Sequence, residues 1–362
     1  MPRHVNIPIF IPHEGCKNSC VFCDQRSITG TSGSAHRDIR PEIETALSTV
    51  CSDDFAEIAF FGGSFTGIGN KLMTSLLDTA YEYVKNGKVR SIRLSTRPDY
   101  IDRGILDILK THGVTDVELG IQSMVQSVLD MSRRGHTVEQ TRKACALIKE
   151  YGFNLVGQMM TGLPGSSQAD EVYTAEQIVE MGADGARIYP TVVFRNTELC
   201  NMAMRTEYTP LTNEDAVKRS AAVYAVFDKA NVKVLRIGLC ASEQLSGSDV
   251  YAGANHPALG ELVLGEYYYE KLCGRLSEML ALAQNIPGKV NICIHCSKSD
   301  SSKIAGQKSA NKSRMLSLLS QRNPNITDIK IIPTDSANVG KFIISAENYC
   351  KNKRTRRKTN CT

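Results

Sequence analysis

The chain has 362 residues, 42% hydrophobic and 22% charged, with 43 Lys and Arg against 38 Asp and Glu for a formal charge of +5. That composition describes an ordinary soluble protein with a sizeable core, in one large domain plus additions or in two domains. No apolar run approaches the ~18 residues that cross a bilayer. Pro8 and Pro12 interrupt the apolar start MPRHVNIPIFIPHEG and no small-residue cleavage site follows, so no secretory signal is expected. Twelve cysteines without an export signal point to a reducing cytoplasm, where clustered thiols bind metal more often than they form disulfides.

HVNIPIFIP (4–12) reads as a first strand, followed by a loop carrying Cys16, Cys20 and Cys23. EIAFFGGSF (57–65) is a buried strand ending in a glycine turn; Leu72, Leu76, Ala80 and Tyr83 then recur at helical spacing up to a stop at Gly87. VRSIRLSTRP (89–98) is a strand ended by Pro98, and another helix leads to DVELGIQSM (116–124). Thr137 and Gln140 form a capping-box pattern, opening a helix with Val138, Thr141, Cys145 and Ile148 on one face. FNLVGQMMTGLPG (153–165) is a strand and turn; a helix around Val172, Ala175 and Val179 stops at Gly182, and GARIYPTVV (185–193) returns to strand. The helix around Ala216–Phe227 leads to a further strand, NVKVLRIGL (231–239).

Strands separated by such helices imply right-handed βαβ crossovers and a parallel sheet. About six βα units by residue 194, plus one more strand, suit an α/β fold of the partial (βα)6 TIM-like barrel type. Ligands then belong at the C-terminal strand ends, where the Cys loop, GGSFTG, STRPD, GIQS and TGLPG all fall. The expected division is a core over 1–205, a helix-strand-helix extension over 206–285, a small strand-helix-strand-strand module over 286–348, and a basic tail over 349–362. In that tail Lys351 to Lys358 carries six positive residues of eight, either a solvated end or a nucleic-acid contact.

The cysteine loop carries the chemistry. Three thiols are one too few for a closed tetrahedral zinc site and an odd number for disulfides. A [4Fe–4S] cluster held by three thiolates leaves one iron open to an external ligand. A zinc ribbon, chance spacing, or a non-catalytic iron–sulfur or zinc scaffold are the alternatives. The spacing Cys16-x3-Cys20-x2-Cys23, with Phe22 before the last cysteine and a strand just before the loop, resembles the signature of the radical S-adenosylmethionine (SAM) enzymes. The resemblance implies SAM chelated to the open iron, reductive cleavage of its C–S bond, and a 5′-deoxyadenosyl radical that takes a hydrogen atom from the substrate.

It continues for about 200 residues. Gly62, Gly63 and Ser64 stand where the family has a Gly-Gly-Glu-like turn that holds the methionine amino group of SAM through its backbone. STRPDYI, LGIQSM, MSRRGHT and GQMMTGLPG are similar to stretches of the catalytic subunit of Elongator and of the oxygen-independent coproporphyrinogen oxidases. That likeness implies that Ser95, Gln122, Arg134 and Gln158 surround the SAM ribose and carboxylate. Ser95 replaces a frequent Glu, and Gln158 replaces an Asp. Arg134 suits a bidentate carboxylate contact. YPTVVFRNTEL, YTPLTNEDAV, RIGL and NHPALGELV resemble a bacterial group of Elongator-like radical SAM proteins.

Implied partners are a one-electron donor such as flavodoxin or ferredoxin and RNA, with tRNA first; a porphyrin-like metabolite is the alternative substrate. No membrane and no acetyl-CoA are expected, since the stretch after 286 is short and lacks a pyrophosphate-cradling glycine loop. Arg236 reads as a substrate contact or a structural ion pair, and His256 as a cap or a substrate contact. Cys293 and Cys296 of CIHC alternate across a strand and read as structural rather than metal-binding. GQKSANKSR (306–314) reads as a solvated helix start, with a phosphate contact as the alternative.

Overall fold

The computed structural model describes residues 4–11, 16, 20–24, 38–51, 54–239, 249–335 and 338–348; the predicted basic tail lies outside them. Within the first compact unit, Met1–Gly260, the strands are β1 (His4–Ile11), β2 (Phe55–Gly62), β3 (Ser91–Thr96), β4 (Val114–Gln122), β5 (Asn154–Thr161), β6 (Gly185–Pro190), β7 (Val192–Phe194), β8 (Lys233–Ile237) and β9 (Val250–Gly253). Seven of them form one parallel sheet in the order β1-β2-β3-β4-β5-β6-β8, curled into a half barrel. The strand expected over 185–193 breaks at Thr191, whose backbone and hydroxyl both donate to the Thr161 carbonyl. Val192–Phe194 pairs antiparallel with β9 instead.

Several helices form where their local signals place them. Residues 70–85 bury Met73, Leu76, Leu77, Ala80 and Tyr83, and Gly87 follows at φ +68°. Thr137 and Gln140 make both bonds of the capping box, and Asp102 caps helix 103–111 by accepting from the Ile105 amide at 2.8 Å. One sheet face packs Ile7, Ile58, Phe60, Leu94, Val117, Leu119, Leu155 and Ile188 against helical Leu77, Leu106, Ile148, Ile178 and Phe227. Each such side chain contributes roughly 1.5–3 kcal/mol on burial.

Helix 168–180 carries a charged residue on its buried face. That face runs through Glu171, Thr174, Ala175 and Ile178, with Val179 partly buried against the core. Glu171 turns inward to accept from Arg219, the Gly162 amide and Ser166, which anchors the TGLPG turn.

Alternation puts polar side chains on the opposite sheet face. Arg93 of β3 reaches Glu57 at 2.5 Å and Glu118 at 3.0 Å; Arg187 of β6 reaches Glu118 at 2.8 Å. Glu118, fully buried, also accepts from the Gln158 amide at 2.8 Å. This ion network runs beneath the strand ends where the site lies.

The second compact unit, Glu261–Thr362, contains β10 (Val290–Cys296), β11 (Ile326–Pro333) and β12 (Phe342–Asn348) in the order β11-β10-β12, with β11 parallel and β12 antiparallel to β10. Helix 310–322 buries Met315 and Leu319. Cys293 and Cys296 are buried, and His295 bonds to Ser345 at 3.0 Å. Among the described residues no helix is long and apolar enough to cross a membrane.

Candidate active site

At the C-terminal ends of β2 to β5 lies a cavity of ≈ 220 Å³. Cys16, Cys20, Phe22 and Cys23 line it from the loop after β1; Gly62, Gly63 and Ser64 from the end of β2; Ser95 from β3; Gln122 from β4; Gln158 from β5; and Arg134 from the turn after helix 126–131. All the residues that the sequence assigns to the cluster and to SAM face this one space. A larger open hollow of ≈ 620 Å³ beside Arg40, Thr74 and Glu82 carries only solvent-facing polar groups.

Main-chain bonds pin the cysteine loop: the Val21 amide donates to the Ser132 carbonyl, and the Val21 carbonyl accepts from the Leu199 amide. Phe22 packs beside the cluster of Val21, Val193, Leu199 and Tyr208, which explains an aromatic residue before Cys23. The Gly63 amide donates to the Ile11 carbonyl at 2.6 Å, and Gly62 sits at φ +107° with no room for a β-carbon. Bare backbone therefore forms that wall. A bulge in β4 between Gly120 and Gln122 puts Gln122 at φ +66° and turns its side chain into the cavity.

The polar atoms here are under-used by the protein. Gln122 Oε1 and Arg134 Nε are buried without hydrogen-bond partners among the described residues. Burial, with the Cys20 and Cys16 sulfurs adding to it, pushes the Cys23 thiol up to about 12. Without a cation such a thiol stays protonated; a bound metal deprotonates it outright. Among the described residues no three His, Cys, Asp or Glu side chains converge to hold a single metal ion. A cluster spreads its thiolates over separate irons, so three cysteines around one cavity fit it without such convergence. The donor set, the bare-glycine wall and the orphaned polar atoms thus fit an iron–sulfur cluster with a polar organic ligand beside it.

Thr96, Arg97 and Gly120 also line the cavity and were missed in the sequence. Arg97 stood inside STRPD, but a lone arginine beside a turn gives no sign of burial. Outside the cavity, His256 accepts from the Ala258 amide at 3.1 Å, a local cap. Among the described residues, Arg236 donates to the Gly238 and Leu239 carbonyls.

Residues 10–178 match the radical SAM superfamily, and residues 183–269 match the radical SAM C-terminal domain. The chain belongs to the radical SAM superfamily and is an enzyme of that class, which implies SAM and an iron–sulfur cluster. It is 32% identical over 199 residues to a tRNA uridine(34) acetyltransferase of Methanocaldococcus jannaschii, covering 54% of this chain and 36% of that protein. It is 27% identical over 287 residues to human Elongator complex protein 3, covering 68% and 52%. The chain thus spans between about a third and a half of these relatives. The archaeal Methanocaldococcus infernus Elp3 shares the fold with a TM-score of 0.60 at 24% identity, over 76% of this chain and 64% of that one.

Proposed function

We propose that the chain binds a [4Fe–4S] cluster on Cys16, Cys20 and Cys23 with SAM on its open iron, and uses them to abstract hydrogen from an RNA substrate, tRNA first. The observation that carries the chemistry is the convergence of three cysteines with Gly62, Gly63, Ser64, Ser95, Gln122, Arg134 and Gln158 on one cavity. When bound, the cluster supplies the electron that cleaves SAM to a 5′-deoxyadenosyl radical. An external one-electron donor such as flavodoxin or ferredoxin delivers that electron.

The protein's part is to bind and orient. The Gly62–Gly63 wall offers backbone to the methionine amino group, and Gln122 Oε1 supplies an unpaired acceptor. Arg134 offers its unused Nε to the carboxylate. The Gln158 amide nitrogen is committed to Glu118 at 2.8 Å and to Ser95 at 3.2 Å. That fixes which way the amide points and leaves its carbonyl as the acceptor for ribose hydroxyls, the job a carboxylate does in relatives. Phe22 closes the apolar side.

Support for RNA comes from the tRNA-modifying relatives and from the basic tail. Anaerobically reconstituted protein given dithionite and SAM is expected to release 5′-deoxyadenosine, and Cys20→Ala to lose both the iron and this product. Protein holding about one zinc and no sulfide would refute the cluster. RNA binding is read by its salt dependence: affinity should fall steeply as salt rises. Binding that ignores salt, or none, points to a small metabolite instead.

A further inference from the structure

We propose that Arg97, together with Arg134, grips the Cys20 sulfur through N–H···S hydrogen bonds and so raises the reduction potential of the cluster. This rests on the cluster reading above and adds a residue to it. Arg134 Nη1 lies 3.3 Å from Cys20 Sγ, and Arg97 Nη1 lies 4.0 Å from the same atom. Among the described residues, the partner of Cys16 is instead the neutral Ser64 hydroxyl, at 3.3 Å. Two guanidinium groups therefore address one sulfur.

Neither is a passing surface cation. Arg97 is 3% exposed and Arg134 6%. Arg134 Nη2 donates to the Gly120 carbonyl at 2.7 Å. Arg97 Nε and Nη2 are held by the Asp99 carboxylate at 2.9 and 3.1 Å, and Nη2 also donates to the Arg134 carbonyl. Each arginine thus keeps Nη1 for the sulfur while its Nη2 is anchored to a backbone carbonyl. Arginine stays charged at any working pH.

Positive charge and hydrogen bonds at a thiolate ligand stabilise the more negative, reduced form of a cluster. Asp99 offsets part of the Arg97 charge, and this gives the inference two signs. Removing Arg97 should lower the potential; removing the Asp99 charge should raise it. Cys20 is the corner where the protein sets how readily the cluster accepts its electron.

The test uses the full chain, reconstituted anaerobically as wild type, Arg97→Met and Asp99→Asn. Iron and sulfide per chain are measured first, then the midpoint potential by titration followed by electron paramagnetic resonance. With unchanged iron and sulfide, Arg97→Met is expected to shift to a more negative potential and Asp99→Asn to a more positive one. A structural disturbance alone would move both the same way; that result, or no shift in either, overturns the inference. Should Arg97→Met not fold, Asp99→Asn decides with Arg97→Lys, which keeps charge but loses the fork: no upward shift in Asp99→Asn overturns the inference. Wild-type protein lacking iron and sulfide would sink the cluster reading itself, and this inference with it.

Discussion

A β-carbon on Gly62 would lie 2.9 Å from the Ile11 carbonyl oxygen, at a backbone φ of +107° that side-chain-bearing residues rarely adopt. Gly62→Ala is therefore expected to cost about 2–3 kcal/mol in chemical denaturation and to weaken SAM binding in calorimetry. The glycine pair was legible as a turn after a buried strand; the Ile11 contact that makes it obligatory was not. His136, 2% exposed, shows a residue that pattern reading passes over inside MSRRGHT. Burial, then the Arg134 and Arg97 cations, lowers its imidazole from 6.5 to about 3, with Asp99 opposing. Between those values the unfolded chain takes up a proton that the folded state refuses. Stability therefore rises with pH across that window, by up to about 1.4 kcal/mol per unit, and is lost as pH falls from about 6.5. Denaturation midpoints from pH 4 to 7 should show this slope, and His136→Gln should flatten it.

Strand β4 does two jobs that its sequence states only in part. Its apolar positions Val117, Leu119 and Ile121 face the core, as alternation predicts. Between them Glu118 holds Arg93, Arg187 and Gln158, partners on three other strands. A buried carboxylate in VELG gives no hint in sequence of what neutralises it, because the cations stand 25 and 69 residues away. Removing it leaves two buried guanidinium groups short of an anion, so Glu118→Ala should lose about 3–5 kcal/mol in urea unfolding. Glu118→Gln should restore part of that and keep SAM affinity higher than the alanine variant does. Helix 168–180 hides its inward charge for a related reason: Arg219, the partner of Glu171, stands 48 residues away.

Over the whole molecule the charge is divided. Residues 261–362 carry 17 Lys and Arg against 8 Asp and Glu, and residues 1–260 carry 26 against 30. Within the described part of the second unit much of that positive charge is paired: Lys298 with Asp335, Lys312 with Asp328, Arg314 with Glu266 and Lys330 with Glu347. The surplus sits mainly in the six basic residues of 351–358. Deleting residues 349–362 is therefore expected to weaken RNA binding severalfold at low salt and to reduce the slope of log affinity against log salt, each lost phosphate contact contributing about 0.7–0.9. Filter binding across salt concentrations checks it, and 5′-deoxyadenosine release without RNA should be unaffected.

The alternation of strand and helix, the glycine stops, the capping box and the cysteine triplet were set by the sequence alone. All of them depend on period or spacing within a dozen residues. Only the folded chain decided which distant groups meet: Arg134 reaches Cys20 across 114 positions, and Arg97 across 77. A parallel sheet brings its strand ends together whatever their separation along the chain. The chemistry of the cavity is therefore written in register and burial, which no local pattern records.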